Sequence, residues 1–201
     1  MLLAMIESED GRWMKRVSRI EKYLVSYCAP TLAGLKTGGL FNYYFPCRDG
    51  LEQSLLAGNR QLNRKGVFLE AIRVEKTHAL IFVYRRSRLK EDLRKNGVAE
   101  FLSLYGYQRN SIAHCIGHLK NRFASEKEFP HEIGVFLGYP LEDVIGFIKN
   151  AGHNSKCVGC WKVYSNECEA MKLFEKYRRC KKIYQKSFSA GRSVVQLTVA
   201  V

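Results

Sequence analysis

Two apolar segments separated by only three residues place the strongest constraint on the fold of this chain. Residues 67–75 alternate apolar with polar side chains, and residues 79–85 contain a continuous apolar run. Side chains of a β-strand alternate between two faces, and a short link between two strands permits only antiparallel pairing. The sequence therefore predicts a β-hairpin that turns at residues 76–78.

Most of the remaining chain has the periodicity of amphipathic helices. The clearest apolar stripe runs through residues 166–184, where Asn166 and Glu169 have the spacing of a capping box. Further helices are predicted at residues 11–28, 49–63, 87–95, 98–105 and 111–124, and after Pro130 and Pro140. Additional strands are predicted at residues 40–45, 161–164 and 195–201. The predicted fold class is α+β, a helix-rich single domain with a small antiparallel or mixed sheet.

Length and composition favour one folded domain. The chain has 201 residues, and no linker rich in Pro, Ser or Gly divides it. We expect residues 1–10 to be a disordered N-terminus and residues 11–201 to form one domain. No apolar run approaches the roughly 20 residues that a membrane-spanning helix needs, so we expect no membrane span.

The charge of the chain is strongly positive and unevenly distributed. Lys and Arg total 33 against 19 Asp and Glu, which gives a net charge of +14. Residues 85–95 hold six basic and two acidic side chains, and residues 162–192 hold nine and three. Such a surface attracts anionic ligands and acidic partners, although a basic but otherwise ordinary soluble surface is the alternative. The predicted anion-binding or partner-binding residues are Lys36, Arg178, Arg179, Lys181 and Lys182.

Seven cysteines and the lack of a recognisable signal peptide indicate a cytoplasmic protein with free thiols. Cys157 and Cys160 form a C-x-x-C pair, which is a candidate redox or metal site. Cys168 and Cys180 could complete a set of four metal ligands, but Cys180 lies on the apolar stripe of its predicted helix. Unreactive thiols are therefore the leading interpretation.

Histidines supply two further candidate sites. His114 and His118 are one helical turn apart, a spacing that can hold a metal ion, although an ordinary partly buried pair is the simpler interpretation. His131 and Glu132 follow Pro130, and a small enzyme could combine them with Cys28 as its nucleophile. Local helix capping is the alternative role for Glu132.

Nucleic acid is a further potential partner. The predicted helices on either side of Tyr139 resemble a helix-turn-helix, but the second helix would present Glu142 and Asp143 to the DNA. The basic helix at residues 172–186 could contact phosphates without reading sequence.

Three segments carry a family resemblance. They are Cys28–Lys36 (CAPTLAGLK), Phe129–Val144 (FPHEIGVFLGYPLEDV) and Gly159–Tyr164 (GCWKVY). The chain resembles the domain-of-unknown-function 3793 family, found mostly in anaerobic Firmicutes, from about Ile20 to its end. The resemblance implies no reaction, cofactor or catalytic residue, but it implies an association with flavodoxins and hence a redox or iron-related setting.

These observations predict a basic cytosolic accessory protein in redox or iron physiology, which docks an acidic partner such as a flavodoxin or an anionic ligand. A sequence-nonspecific nucleic-acid-binding module and a small Cys/His enzyme are the alternatives. The sequence identifies no cofactor.

Overall fold

The computed structural model describes residues 19–108, 111–125 and 128–200. These ranges contain nine α-helices, a 3-10 turn at Asn63–Lys65 and five short strands. The helices are α1 (Arg19–Leu32), α2 (Arg48–Leu62), α3 (Arg86–Asp92), α4 (Val98–Ser103), α5 (Ile112–Ser125), α6 (Ile133–Phe136), α7 (Leu141–Lys149), α8 (Glu167–Ser189) and α9 (Val194–Leu197). The strands are β1 (Gly38–Tyr44), β2 (Val67–Val74), β3 (His78–Arg85), β4 (Cys157–Val158) and β5 (Lys162–Val163). The predicted disordered segment 1–10 lies outside the described residues.

The main sheet is antiparallel with the strand order β1–β3–β2. The predicted hairpin is confirmed, since β2 pairs with β3 from Val67 opposite Arg85 to Val74 opposite Ala79. β1 pairs along the other edge of β3, from Gly38 opposite Tyr84 to Tyr44 opposite His78. A separate two-stranded ribbon joins β4 to β5. The α+β class with a small sheet is therefore confirmed, and the sheet is antiparallel throughout.

Helices cover both faces of the sheet because successive β3 side chains alternate between two cores. Ile81 and Val83 belong to a first core that α1, α2 and α9 cover. Phe82 and Tyr84 belong to a second core beneath helices α3 to α7. A third cluster packs Trp161 of the β4–β5 ribbon against α8. Every β3 residue from Ala79 to Arg85 apart from Leu80 is buried, as expected for a central strand covered on both sides.

Gly38 and Gly117 provide a matched test of this packing. A Cβ at Gly38 would lie 2.6 Å from Phe82 Cε2 and 2.9 Å from the Phe136 carbonyl oxygen, whereas a Cβ at Gly117 would meet nothing within 4 Å. We expect Gly38→Ala to reduce the free energy of unfolding by about 1–3 kcal/mol because the second core is already filled. Gly117→Ala, inside α5, should instead raise it by about 0.5–1 kcal/mol. Urea denaturation measures both, and effects of the same sign would contradict this description of the second core.

The predicted strand at residues 195–201 is wrong. Residues 194–197 form α9, and Ser193 and Gln196 make a reciprocal capping box that satisfies the first backbone donors of this helix. Val194 and Leu197, three residues apart, both pack into the first core. The alternation of valines in the tail indicated a strand, but burial of one helical face decides its structure.

α1 extends beyond residue 28, where the sequence analysis ended the predicted helix. Pro30 lies inside α1, which continues to Leu32. The carbonyl groups of Thr31 and Leu32 accept hydrogen bonds from the buried Arg85 side chain. A side chain distant in sequence thus supplies hydrogen-bond donors to the last carbonyl groups of this helix.

No helix in the described part of the chain is long and apolar enough to cross a membrane.

Candidate functional site

The three segments that carry the family resemblance meet around the ring of Tyr139. The Lys36 ammonium lies 4.9 Å from the centroid of this ring. The Tyr139 hydroxyl donates to the Cys160 carbonyl oxygen at 3.2 Å, and the Trp161 ring stacks on Tyr139 with 4.8 Å between centroids. Residues from 28–36, 129–144 and 159–164 therefore share one location. We call Lys36, Tyr139, Cys160, Arg178 and Lys181 the Lys36 site.

The backbone around Lys36 is held on two sides. The N–H groups of Leu35 and Lys36 both donate to the Pro30 carbonyl oxygen, which folds the connection back onto α1. The Tyr177 hydroxyl of α8 donates to the Leu35 carbonyl oxygen at 3.4 Å. This short connection therefore keeps Lys36 close to α8.

Gly138 lets the Tyr139 segment approach the connection that holds Lys36. Gly138 has φ +78°, and a Cβ at this position would lie 2.6 Å from Thr37 Oγ1. The Thr37 hydroxyl donates to the buried carboxylate of Asp92. A side chain at residue 138 would be strained and would push the two segments apart.

Asp143 fixes the Trp161 ring. Its carboxylate is buried and accepts hydrogen bonds from the Trp161 indole N–H at 2.7 Å, from the backbone N–H groups of Tyr164 and Ser165, and from the Ser165 hydroxyl. Burial by itself raises the pKa of Asp143, but these hydrogen bonds stabilise the charged form and together lower the pKa below its ordinary value. Asp143 therefore does not face outward as the helix-turn-helix comparison assumed, and only Glu142 of that pair is exposed.

The Lys36 ammonium is half-buried and forms no salt bridge with a carboxylate of the described residues. Burial lowers the pKa of Lys36 because a less polar environment disfavours its charge, while the nearby thiols of Cys28 and Cys160 act in the opposite direction. An anion beside this ammonium would restore the electrostatic stabilisation that burial removes.

Two cations of α8 share this location with Lys36. Burial raises the pKa of the Cys160 thiol, whereas the positive charges of Lys36, Arg178 and Lys181 oppose that rise. The positive charges of Lys36, Arg178 and Lys181 therefore act on the same thiol. Arg88 of α3 adds a fourth positive charge close by, since it opposes the effect of burial that raises the pKa of Tyr177 to about 12.

The structure brings together three of the five cations that the sequence analysis selected. Arg179 lies on α8 but forms an ion pair with Glu175 one turn earlier. Lys182 is exposed on α8 one turn after Arg178, and no hydrogen bond or ion pair ties its side chain to the described residues. Sequence reasoning missed Tyr139 and Arg88. Tyr139 lies inside a recognised segment, which was the available signal, whereas nothing in the sequence distinguished Arg88 from its basic neighbours.

The structure separates Cys28 from Glu132. Cys28 is fully buried in the first core, and burial raises the pKa of its thiol to about 12. Glu132 is buried on the other side of the sheet, where its carboxylate pairs with Arg122 at 2.9 Å and accepts a hydrogen bond from Tyr107. His131 is exposed, and its ring packs against Phe147. Cys28, His131 and Glu132 therefore do not share one pocket.

One ring nitrogen of His118 forms a hydrogen bond within the protein. Its Nε2 lies 2.9 Å from the Tyr105 carbonyl oxygen, and its ring meets Tyr107 edge-on with 4.4 Å between centroids. His114 is exposed one turn earlier. Within residues 19–108, 111–125 and 128–200, no group of three or more His, Cys, Asp or Glu side chains is arranged to hold a metal ion.

Cys157 lies in β4 and Cys160 lies in the turn that joins β4 to β5, and both are free thiols. Burial and the negative charge of Glu167 raise the pKa of Cys157. A raised pKa reduces the thiolate fraction, which is the opposite of the activation found in thioredoxin-type pairs. Cys168 is exposed and Cys180 is buried.

Comparisons with known proteins identify the family of the chain. No curated protein and no solved structure matches it. A family model described as a protein of unknown function (DUF3793) matches residues 24–198, a range that includes all three segments of the Lys36 site. The chain therefore belongs to the DUF3793 family.

Proposed function

We propose that this protein is a cytoplasmic accessory protein that binds an acidic protein partner through the Lys36 site. The observations that carry the proposal are the Lys36 ammonium, which lies 4.9 Å from the centroid of the Tyr139 ring, and the charges of Arg178 and Lys181, which act on the same Cys160 thiol as Lys36. None of these three cations forms a salt bridge with a carboxylate of the described residues.

The composition of the surface supports a protein partner. Tyrosine and arginine are enriched at protein–protein interfaces, and the Lys36 site combines Arg178 with Tyr139, whose ring stacks on the buried Trp161. The half-buried Lys36 would gain most from a carboxylate of the partner, because its charge is the least solvated of the three. Exposed Arg178 and Lys181 would mainly accelerate the encounter.

A flavodoxin is the partner class that fits both this charge and the redox setting that the family resemblance implies. Docking of two oppositely charged surfaces weakens as ionic strength rises, because dissolved ions screen the attraction over about 10 Å at 0.1 M salt. The Cys160 thiol lies within the proposed surface, so a bound partner would cover it.

Substitution of the three cations tests the proposal. We expect Lys36→Gln/Arg178→Gln/Lys181→Gln to weaken binding of a purified flavodoxin at least about tenfold at 50 mM salt, because the substitutions remove the attraction from the partner's carboxylates. Calorimetric titration measures the affinity. Binding of the unsubstituted protein should also weaken between 50 and 300 mM salt.

The matched control removes the same number of positive charges, all of them from α8. Lys172, Lys176 and Arg179 recur at spacings of four and three residues, so they form one stripe on a side of α8 away from Arg178, and two of them already pair with glutamates. Lys172→Gln/Lys176→Gln/Arg179→Gln should change the affinity less than threefold. Equal losses in the two variants, or alkylation of Cys160 that the partner does not slow relative to exposed Cys47, would refute the proposal.

A further inference from the structure

A second basic surface lies between α3, α4 and α5. It is a cavity of about 550 Å³, which we call the α3–α5 groove. The lining residues are Arg86, Lys90, Leu93, Arg94, Lys95, Ala99, Ser111 and Ile112. Four of these eight side chains are cationic and none is a carboxylate, so the groove concentrates positive charge in a concave space of small-molecule size.

Repulsion between these cations destabilises α3. Arg86 and Lys90 are one turn apart on α3, and Arg94 follows four residues later, just beyond the end of the helix. Like charges one turn apart destabilise a helix, as Arg86 and Lys90 do in α3. Only Lys95 of the four forms an ion pair in the described ranges, with Asp92 at 2.6 Å. A bound anion would convert this repulsion into attraction.

The start of α5 contributes a second, independent preference for an anion. The Ser111 hydroxyl accepts a hydrogen bond from the His114 N–H at 3.3 Å and so caps the 14-residue helix. The remaining N–H groups of the first turn and the positive end of the helix dipole favour negative charge at this position. Ser111 and Ile112 line the same groove as the four cations.

We infer that the α3–α5 groove binds a compact oligophosphate, that is, an anion with at least two linked phosphate groups. Four cations in one cavity match several adjacent negative charges better than a single phosphate. The cavity has the size of a small molecule, whereas a nucleic-acid backbone would need a basic stripe that extends beyond it. This inference does not depend on the proposed function, since none of the lining residues belongs to the Lys36 site.

Calorimetric titration with inorganic triphosphate tests the inference. The intact protein should bind one equivalent, and inorganic monophosphate should bind at least tenfold more weakly. Lys90→Gln/Arg94→Gln should weaken triphosphate binding at least tenfold, because both side chains line the groove without an ion pair in the described ranges. Lys172→Gln/Arg179→Gln, which removes the same charge elsewhere, should change the affinity less than twofold. Thermal melting checks that both variants fold.

The outcomes separate the sources of the ligand. Tighter binding of adenosine triphosphate than of inorganic triphosphate would identify a nucleotide, and equal binding would identify a polyphosphate chain; both support the groove. Equal losses in the two double variants, or monophosphate binding as tight as triphosphate, would overturn the inference. Tighter binding of a 20-nucleotide single strand through the same residues would overturn it in favour of nucleic acid. Loss of flavodoxin binding in Lys36 variants has no bearing on these results.

Discussion

Replacement of Arg85 with methionine should reduce the free energy of unfolding by about 3–5 kcal/mol. The Arg85 side chain is fully buried at the end of β3. Its guanidinium donates to the carbonyl groups of Thr31 and Leu32 at the end of α1 and to the Val199 carbonyl at 2.8 Å. Methionine preserves much of the volume but removes one donor from each of these carbonyl oxygens and a positive charge from the negative end of the α1 dipole, and among the described residues only the Thr31 and Leu32 oxygens keep a backbone N–H donor. Urea denaturation followed by circular dichroism measures the loss.

Arg86→Met is the matched control for this prediction. Arg86 is the next residue and is exposed, so the same substitution there should change the stability by less than about 0.5 kcal/mol. Arg85→Lys should be intermediate, because one ammonium cannot reach all the carbonyl groups that the planar guanidinium serves. If Arg85→Met were no more destabilising than Arg86→Met, Arg85 would not be the connection between α1, β3 and the C-terminal segment.

Replacement of Asp143 with asparagine should cost about 2–4 kcal/mol at pH 7 and make stability less dependent on acid. Its carboxylate faces only donors, so the amide group of asparagine would place N–H groups against N–H groups. Because the hydrogen bonds lower the pKa of Asp143 in the folded protein, the ionised carboxylate stabilises the fold fully above the ordinary pKa of 3.8. That contribution is lost as the pH falls through the lowered folded value. Denaturation midpoints of the unsubstituted protein and of Asp143→Asn between pH 6 and pH 2 measure how the difference in their stability shrinks as the pH falls.

Glu142→Gln separates this effect from general titration of carboxylates. Glu142 precedes Asp143 and is exposed, so its substitution should leave the stability at pH 7 within about 0.5 kcal/mol. The difference between the unsubstituted protein and Asp143→Asn should shrink as the pH falls, whereas the Glu142→Gln protein should follow the unsubstituted one. A difference that stays constant down to pH 2 would show that the charge of Asp143 does not stabilise the fold.

Parts of the Lys36 site were predictable from the sequence, and others were not. Arg178 and Lys181 were selected for the local excess of positive charge and Lys36 for the flexible Gly38 and Gly39 that follow it, features that are visible in the sequence. The sequence did not show that Arg179 lies outside the site. Its ion pair with Glu175 depends on side-chain positions along α8. The buried role of Asp143 was also missed, since its partners Trp161 and Ser165 follow 18 and 22 residues later.

The sequence alone determined the α+β class and most element types, with the exception of the helix at residues 194–197, because the periods of helices and strands are properties of neighbouring residues. It also determined the excess of positive charge and the family. Only the tertiary structure decided that Cys28 and Glu132 lie on opposite sides of the sheet, that Arg85 completes α1, and that Lys36 lies beside Cys160. These relations join residues far apart in the chain. They follow from how the helices cover the two faces of β3, which local periodicity does not specify.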